Sequence, residues 1–345
     1  MADMCMHEGA DAGDTPSAGR IAVAFAVLVA VLVAAFLLSL AVGRYEFDAA
    51  AIAALFDPEG DPTSFNVLFH LRLPRVVAAA CVGAMLAVAG CAYQGLFRNP
   101  MVSPDLLGAS AGAGFGAALG LLLSLGGFGV QASAFLFGCV AIGCAYTLSR
   151  RVSRGMNAVL VLVLCGMVVQ QLFTAFTSAV KFVADPNSQL PEITFWLMGG
   201  LANVHEDDLP WLLGPLVLGG AALWALRWRL NVMTLGDEEA ASLGVDVRRT
   251  RLVVVLAATL VTSSAVSVAG MVGWVGLIIP HLARFLVGPD HRVLVPASFL
   301  LGASFLLVVD DVCRSVYTTE IPLSILTAVI GAPLFVWLIC RQRRS

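Results

Sequence analysis

The chain has 345 residues, of which 59% are hydrophobic and 12% are charged, with a formal net charge of −3. A soluble domain carries about twice that share of charged residues, so the composition excludes an ordinary soluble protein. Runs of about 20 apolar residues, the length that crosses a bilayer, recur from Ile21 to Ile339, and the short alternating segments of a membrane β-barrel are missing. We therefore predict an all-α polytopic membrane protein that is surrounded by lipid and binds no nucleic acid.

The first 20 residues are polar and acidic, and they lack the basic start of a secretory signal. We predict a disordered cytoplasmic tail over residues 1–20 and a single transmembrane domain over residues 21–345, whose first helix is retained. Eight cysteines are present, none of them in a CxxC pair and most of them inside apolar runs. We interpret them as packing residues and expect this chain to bind no metal or cofactor itself.

Hydropathy predicts about ten spanning segments in the transmembrane domain. They cover residues 21–43, 76–97, 105–125, 129–149, 157–181, 209–227, 252–270, 273–287, 293–310 and 321–340. With the N-terminus inside, fifteen of the twenty basic residues fall on the cytoplasmic side, which agrees with the positive-inside rule. We therefore predict that both termini are cytoplasmic.

The third segment carries four glycines at intervals of four residues, Gly108, Gly112, Gly116 and Gly120. A stripe of small residues allows two helices to approach closely in lipid. We predict a tightly packed helix at the centre of the bundle. The alternative is that the stripe lines the path of a substrate directly.

The eighth segment, 273–287, is the shortest of the ten. His281 and Arg284 fall in its second half, and Pro280 precedes them. We expect these three residues to have a structural role, with His281 and Arg284 where the helix leaves the membrane.

The chemistry that the sequence lacks narrows the function. Lys181 is the single lysine and belongs to no glycine-rich phosphate-binding loop, so ATP, if it drives the protein, is hydrolysed by a separate subunit. Proton-coupled carriers usually place carboxylates or histidines at mid-membrane, whereas Asp310, Asp311 and Glu320 here flank one outer loop. A carrier driven by an ion gradient is the alternative function. An intramembrane enzyme is the third, but no motif supplies its catalytic groups.

The largest cytoplasmic connector spans residues 231–251. Residues 238–243, flanked by glycines on both sides, are typical of a short helix. Its apolar residues, Ala240 and Leu243 among them, could dock into a groove on a partner protein. From the loop alone, an ordinary interfacial helix explains the pattern equally well.

Three arginines lie on the predicted outer side, since Arg72 and Arg75 begin the second segment and Arg314 ends the ninth. Outer arginines oppose the positive-inside bias and therefore need an explanation. One explanation is a docking surface for an acidic partner. The other is local pairing, for example of Arg314 with Asp310 one helical turn away, and both can hold together.

Several motifs together resemble one family. The matching stretches are RLPR at 72–75, GLFRNPMVSPDLLGASAGA at 95–113, FWLMGG at 195–200, EAASLGV at 239–245, GWVGLIIPHLAR at 273–284, GPDHRVLVPAS at 288–298 and EIPLSILTAVIGAPLFVWLI at 320–339. In this order they are similar to the permease subunits of ABC importers for iron–siderophore complexes, haem and cobalamin. The resemblance covers roughly residues 72–341.

The resemblance implies a type II ABC importer permease with ten transmembrane helices, in the cytoplasmic membrane of a bacterium. It implies a dimer with a second permease subunit, identical or related, and two ATPase subunits that use the ATP. It also implies an extracytoplasmic substrate-binding protein. A ferric siderophore is the expected cargo, and haem, cobalamin and molybdate or tungstate are the other candidates.

The resemblance also assigns roles to residues that match the family's motifs. Arg72, Arg75 and Arg314 are expected to receive glutamates of the binding protein. Asn99 and Met101 are expected to narrow the cytoplasmic gate. The residues expected to contact the ATPase are Glu238, Glu239, Ala240, Leu243 and Gly244.

Overall fold

The computed structural model describes residues 17–43, 62–153, 158–317 and 319–342. The first helices are α1 (Ala18–Ala41), α2 (Leu73–Phe97), α3 (Ala109–Leu122), α4 (Gly126–Val152), α5 (Ala158–Val183) and α6 (Gln189–Met198). They are followed by α7 (Leu209–Leu235), α8 (Asp237–Ser242), α9 (Val247–Ala269), α10 (Val275–Val287), α11 (His291–Ser315) and α12 (Leu323–Gln342). A helical turn (Pro62–Asn66) and a π-helical stretch (Val67–Arg72) lead into α2, and 3-10 turns precede α3 (Pro104–Leu107) and α7 (Glu206–Asp208).

Each of the ten predicted segments overlaps one of these helices. Seven helices among the described residues are long and apolar enough to cross a membrane, whereas α3, α10 and the apolar part of α12 are shorter. The all-α fold is therefore confirmed over the described residues, and ten crossings remain a prediction. The short helix α6 was not predicted; it lies between the fifth and sixth segments, in a loop that is predicted to be on the outer side.

The first helix begins at Ala18, three residues before its predicted start. Ser17 caps it, and the Oγ of Ser17 accepts the backbone N–H of Arg20 at 3.4 Å. Serine is a favoured N-cap because its side chain satisfies one of the free N–H groups of the first turn. Residues 1–16, which make up most of the predicted tail, lie outside the described residues.

Helix α2 lies at the centre of the bundle, and nearly all its side chains are buried. It packs against α7, α9, α10 and α11. Glycines make this possible, because a Cβ on Gly83 would overlap the carbonyl oxygen of Gly302, and one on Gly90 would overlap that of Gly276. Close backbone contact of this kind is how helices commonly associate in lipid.

Three of the four striped glycines pack α3 closely against α4. A Cβ on Gly112 or Gly116 would overlap a backbone carbonyl oxygen of α4, and one on Gly120 would lie 3.0 Å from the Cα of Val130. Gly108 is not part of this contact: it precedes the helix, with a φ of +88°, and lies beside α5. The 3-10 turn joins α3 through this left-handed residue, a conformation that glycine adopts without strain.

Helix α2 also connects the two ends of the bundle. Arg75 lies in its first turn and Arg98 follows its last residue, so a rise of about 1.5 Å per residue separates them by about 35 Å. This exceeds the hydrocarbon core of a bilayer, about 30 Å thick. We call the end that holds Arg72, Arg75 and Arg314 the arginine end, and the end that holds residues 98–103 and α8 the gate end.

Candidate functional site

Two carboxylates hold Arg75 at the arginine end. Its Nε and Nη2 donate to the carboxylate of Asp310 at 2.9 and 2.8 Å, and its Nη1 and Nη2 donate to that of Glu320 at 2.8 and 3.0 Å. The side chains of Arg75 and Asp310 are only 11% and 3% exposed, whereas that of Glu320 is 34% exposed. This cluster joins the start of α2 to the end of α11 and to the segment that precedes α12.

The other two arginines of this end are buried as well. Arg72 donates from Nη1 to two carbonyl oxygens at the C-terminal end of α1, at 2.8 and 3.0 Å. Arg314 donates from Nη2 to the carboxylate of Asp311 and to a further carbonyl oxygen of α1, while its predicted pair with Asp310 is long, at 4.0 Å. Arg75 and Arg314 are therefore paired with carboxylates within the chain, Arg72 bonds to the backbone of α1, and the docking role of all three stays a prediction.

The gate loop, which we define as residues 98–103, presents both predicted gate residues at the surface. Asn99 and Met101 are exposed. The Oδ1 of Asn99 accepts the backbone N–H of Met101 at 2.9 Å, a local bond that is typical of asparagine in turns. The loop is thus ordered although its tip is exposed, and its role as a gate stays a prediction.

Gln94 fixes the inner side of the gate loop. It is buried in the last turn of α2, and its Nε2 donates to the carbonyl oxygens of Val102 and Leu277 at 3.3 and 3.1 Å. Its own backbone carbonyl oxygen accepts the N–H of Asn99 at 3.1 Å. These bonds tie the loop to α2 on one side and to α10 on the other.

The short helix α8 stands between two glycines at the gate end. The sequence predicts a helix over residues 238–243, and the structure confirms it over Asp237–Ser242. Gly236 and Gly244 adopt φ values of +139° and +82°, a region that favours glycine. The two turns allow α8 to pack against both α7 and α9.

Four of the five residues predicted to contact an ATPase are exposed on α8 and the turn after it: Glu238, Glu239, Leu243 and Gly244. Ala240 is fully buried within the chain, and its predicted role in ATPase coupling stays a prediction. A helix that lies on the bundle turns one face to it, and Ala240 is on that face. The role of the four exposed residues stays a prediction.

The three residues singled out in α10 have separate surroundings. Pro280 is buried. The ring of His281 meets that of Phe285 edge-on, with centroids 5.5 Å apart. The Nη1 of Arg284 is buried and has no hydrogen-bond partner among the described residues. A location at the exit from the membrane stays a prediction for His281 and Arg284.

A cavity of about 840 Å³ opens at the arginine end, between α6, the end of α9 and the segment before α12. Small-molecule sites typically have volumes of about 300–1,000 Å³. Its polar lining includes Gln131, Glu192, Asn203, Asp208 and Glu320. The sequence did not predict this cavity, because its lining comes from segments that only the fold brings together.

Known proteins are similar to this chain along almost its whole length, in sequence and in fold. The family model of the FecCD transport family matches residues 31–341. The molybdate import system permease protein MolB of Haemophilus influenzae is 38% identical over 323 residues, which cover 92% of this chain and 95% of MolB. The cobalamin import system permease protein BtuC of Halobacterium salinarum is 43% identical over 282 residues, which cover 81% of this chain and 75% of BtuC. The solved structure of an inward-facing, metal-chelate type ABC transporter matches with a TM-score of 0.84 and 40% identity, over 93% of this chain and 99% of that chain.

Proposed function

This chain belongs to the FecCD transport family of ABC importer permeases, and we propose that ATP hydrolysed by separate ATPase subunits drives its cargo through the membrane. The observation that carries this proposal is the position of α8. Helix α8 exposes two glutamates at the gate end, and the turn after it exposes Leu243. Asp237, the first residue of α8, lies 3.8 Å from Arg98 of the gate loop. An element that is open to a partner on one side and touches a gate on the other can convert a partner's movement into opening.

The proposed assembly contains two permease chains, identical or related, that form the pathway between them. Two ATPase subunits bind at the gate end and use the ATP, and a substrate-binding protein docks at the arginine end. The gate end then faces the cytoplasm of a bacterium, with both chain termini on that side and ten crossings of the cytoplasmic membrane. The strong positive-inside asymmetry of the sequence supports this orientation.

The proposed cargo contains a metal. The resemblance of the sequence makes a ferric siderophore the expected cargo, and haem and cobalamin are further candidates from the same resemblance. Molybdate is the second candidate, because the 38% identical relative that covers 92% of this chain is a molybdate permease. In each case the binding protein would select the cargo and this chain would pass it on.

The buried carboxylates do not favour a carrier that is driven by protons. Asp310 and Asp311 lie in the last turns of α11, and each is paired with an arginine, Arg75 or Arg314. A proton-accepting carboxylate is expected at mid-membrane, whereas Asp310 and Asp311 lie towards the end of α11 and each bonds to an arginine. These two residues therefore have a structural explanation.

Uptake into proteoliposomes tests the proposed function. The vesicles contain this chain and its ATPase subunit, and the binding protein is added outside with labelled ferric hydroxamate, molybdate or cobalamin. We expect uptake of one probe that requires ATP at the gate end and stops when the P-loop lysine of the ATPase is replaced. Uptake that persists without the ATPase subunit, under an ion gradient alone, would contradict the proposal and support the carrier.

We also propose that Arg75 is the docking arginine that meets the binding protein. Its partner Glu320 is partly exposed, so an incoming glutamate can replace Glu320 while Asp310 stays buried and paired. Arg72 and Arg314, which bond to α1, hold this surface in place. In a pull-down, Arg75→Gln should recover less binding protein than the wild type, and Glu320→Gln at least as much. Equal recovery from all three proteins would refute docking at Arg75.

A further inference from the structure

The residue that joins α2 to the gate loop has an unusual backbone conformation. Arg98 has a φ of +51°, one of three non-glycine residues with a positive φ among the described residues. Its backbone N–H bonds to the carbonyl oxygens of Gln94 and Gly95, which completes the last turn of α2. A left-handed arginine is uncommon, and here it ends the helix while its side chain extends towards α8.

The side chain of Arg98 reaches the first residue of α8. Its Nη2 lies 3.8 Å from the Oδ1 of Asp237, and the two side chains are 36% and 45% exposed. Among the described residues, no other ion pair joins the gate loop to α8. An ion pair of this exposure contributes little to stability, so it can open and close without unfolding its surroundings.

Asp237 has a second and tighter arginine partner. Its Oδ2 accepts from the Nη2 of Arg251 in α9 at 2.8 Å, and the side chain of Arg251 is only 13% exposed. The carboxylate of Asp237 therefore contacts two arginines, Arg251 of α9 at 2.8 Å and Arg98 at the longer distance of 3.8 Å. The bond to Arg251 keeps the carboxylate in place at the start of α8, and the longer contact is the one that can change.

We propose that Asp237 is a positioning residue that transmits movement of α8 to the gate loop through Arg98. The proposal rests on the function proposed above, in which an ATPase moves α8. When α8 shifts, the carboxylate of Asp237 shifts with it, and the guanidinium of Arg98 follows or is released. Because Asn99 is the next residue and Met101 lies two further on, a rotation at Arg98 changes the exposure of both.

Gln94 determines which part of the gate loop can respond. Its Nε2 holds the carbonyl oxygen of Val102, so the far side of the loop stays attached to α2. The backbone N–H of Asn99 also bonds to the carbonyl oxygen of Gln94, so the loop is attached at Asn99 and Val102, and its exposed tip at Met101 is the part that can move. This division explains why a link at Arg98 acts on the tip of the gate loop rather than on α3.

Cysteine labelling at Met101 tests the link. Met101→Cys is introduced after Cys5, Cys144 and Cys340 are replaced by serine, and the protein is reconstituted with its ATPase subunit. The labelling rate by a membrane-impermeant maleimide is measured without nucleotide and with ATP plus vanadate. The variants are Arg98→Gln, Asp237→Asn and both together, and the matched control is Arg150→Gln, which removes an exposed arginine from the last turn of α4.

We expect ATP plus vanadate to change the labelling rate in the parent and in Arg150→Gln equally. Arg98→Gln should reduce that change by about two- to fivefold, the range set by an exposed ion pair, without lowering ATP hydrolysis. The double variant should be no worse than Asp237→Asn alone, since Asp237→Asn already removes the contact between Asp237 and Arg98. An unchanged response in Arg98→Gln, or an equal loss in Arg150→Gln, would overturn the link while the proposed function stands. If the labelling rate of the parent protein does not change with ATP plus vanadate, both the link and the proposed function are overturned.

Discussion

Arg75 is held between the carboxylates of Asp310 and Glu320, an arrangement that we call the Arg75 clamp. Its contribution to the free energy of unfolding can be measured. Four of the five N–H groups of Arg75 are used by Asp310 and Glu320, at 2.8 to 3.0 Å. Asp310 is nearly inaccessible to water, at 3% exposure of its side chain, whereas Glu320 is 34% exposed. Breaking a buried pair by removing one partner costs about 3–5 kcal/mol, because it leaves an uncompensated buried charge. The two carboxylates should therefore differ in their contribution.

We expect Arg75→Gln to lower the free energy of unfolding by about 3 kcal/mol, because it leaves the buried carboxylate of Asp310 without this partner. Asp310→Asn should lower it by less, because Arg75 keeps its pair with Glu320. In the double variant neither charge is left alone, so its loss should be smaller than the sum of the two by about 2 kcal/mol. Glu320→Gln is the matched control: its carboxylate is partly hydrated, and its loss should be about 1 kcal/mol or less.

Unfolding in mixed micelles, followed by tryptophan fluorescence as the fraction of denaturing detergent rises, measures these differences. Wild type, both single variants, the double variant and Glu320→Gln form one series. The coupling energy is the difference between the loss in the double variant and the sum of the two single losses. A coupling energy below about 0.5 kcal/mol, the error expected for independent sites, would refute the stabilising pair of Arg75 and Asp310. So would a loss in Glu320→Gln as large as that in Asp310→Asn, because the reasoning assigns the difference to burial.

Two further predictions concern glycines. Gly116→Ala should lower the midpoint of thermal unfolding in detergent, because its Cβ would overlap a backbone carbonyl oxygen of α4, whereas Gly143→Ala, with no atom within 4 Å of its Cβ, should not; equal midpoints would show that α3 and α4 do not pack as described. Gly244→Ala should reduce ATP-driven uptake while leaving membrane insertion intact, because a φ of +82° costs a residue with a Cβ about 1–2 kcal/mol. Unchanged uptake together with unchanged stimulation of the ATPase would contradict a role of this turn in coupling.

The helices could be predicted from the sequence because their signal is local. A run of about 20 apolar residues has few alternatives to a helix in a bilayer, and each of the ten runs overlaps a helix among the described residues. The helix α8 could also be predicted from a local signal, because Gly236 and Gly244 lie close to its two ends in the sequence. The ends were harder to predict: α7 continues to Leu235, eight residues beyond the predicted span, because a helix can extend past the membrane when its end packs on neighbours.

Burial and pairing could not be predicted, because they depend on contacts that are distant in the sequence. Ala240 and Leu243 are equivalent as apolar residues of a short helix, yet one is fully buried and the other is 57% exposed. Arg75 finds its partners 235 and 245 positions away, where no local pattern indicates them. Gly108 fits the spacing of its stripe, but the 3-10 turn before it removes it from the helix.

The packing of α2 determines where movement can occur between the two ends of the bundle. Gly83 and Gly90 bring its backbone against carbonyl oxygens of α11 and α10, so a bend within α2 would force these atoms to overlap. Interiors packed in this way respond by moving as units rather than by deforming continuously. Bending is therefore expected at the residue where the helix ends, Arg98, whose left-handed backbone already departs from the helix. That residue is also the one whose side chain meets α8, so the contact with α8 and the expected pivot of the gate loop coincide.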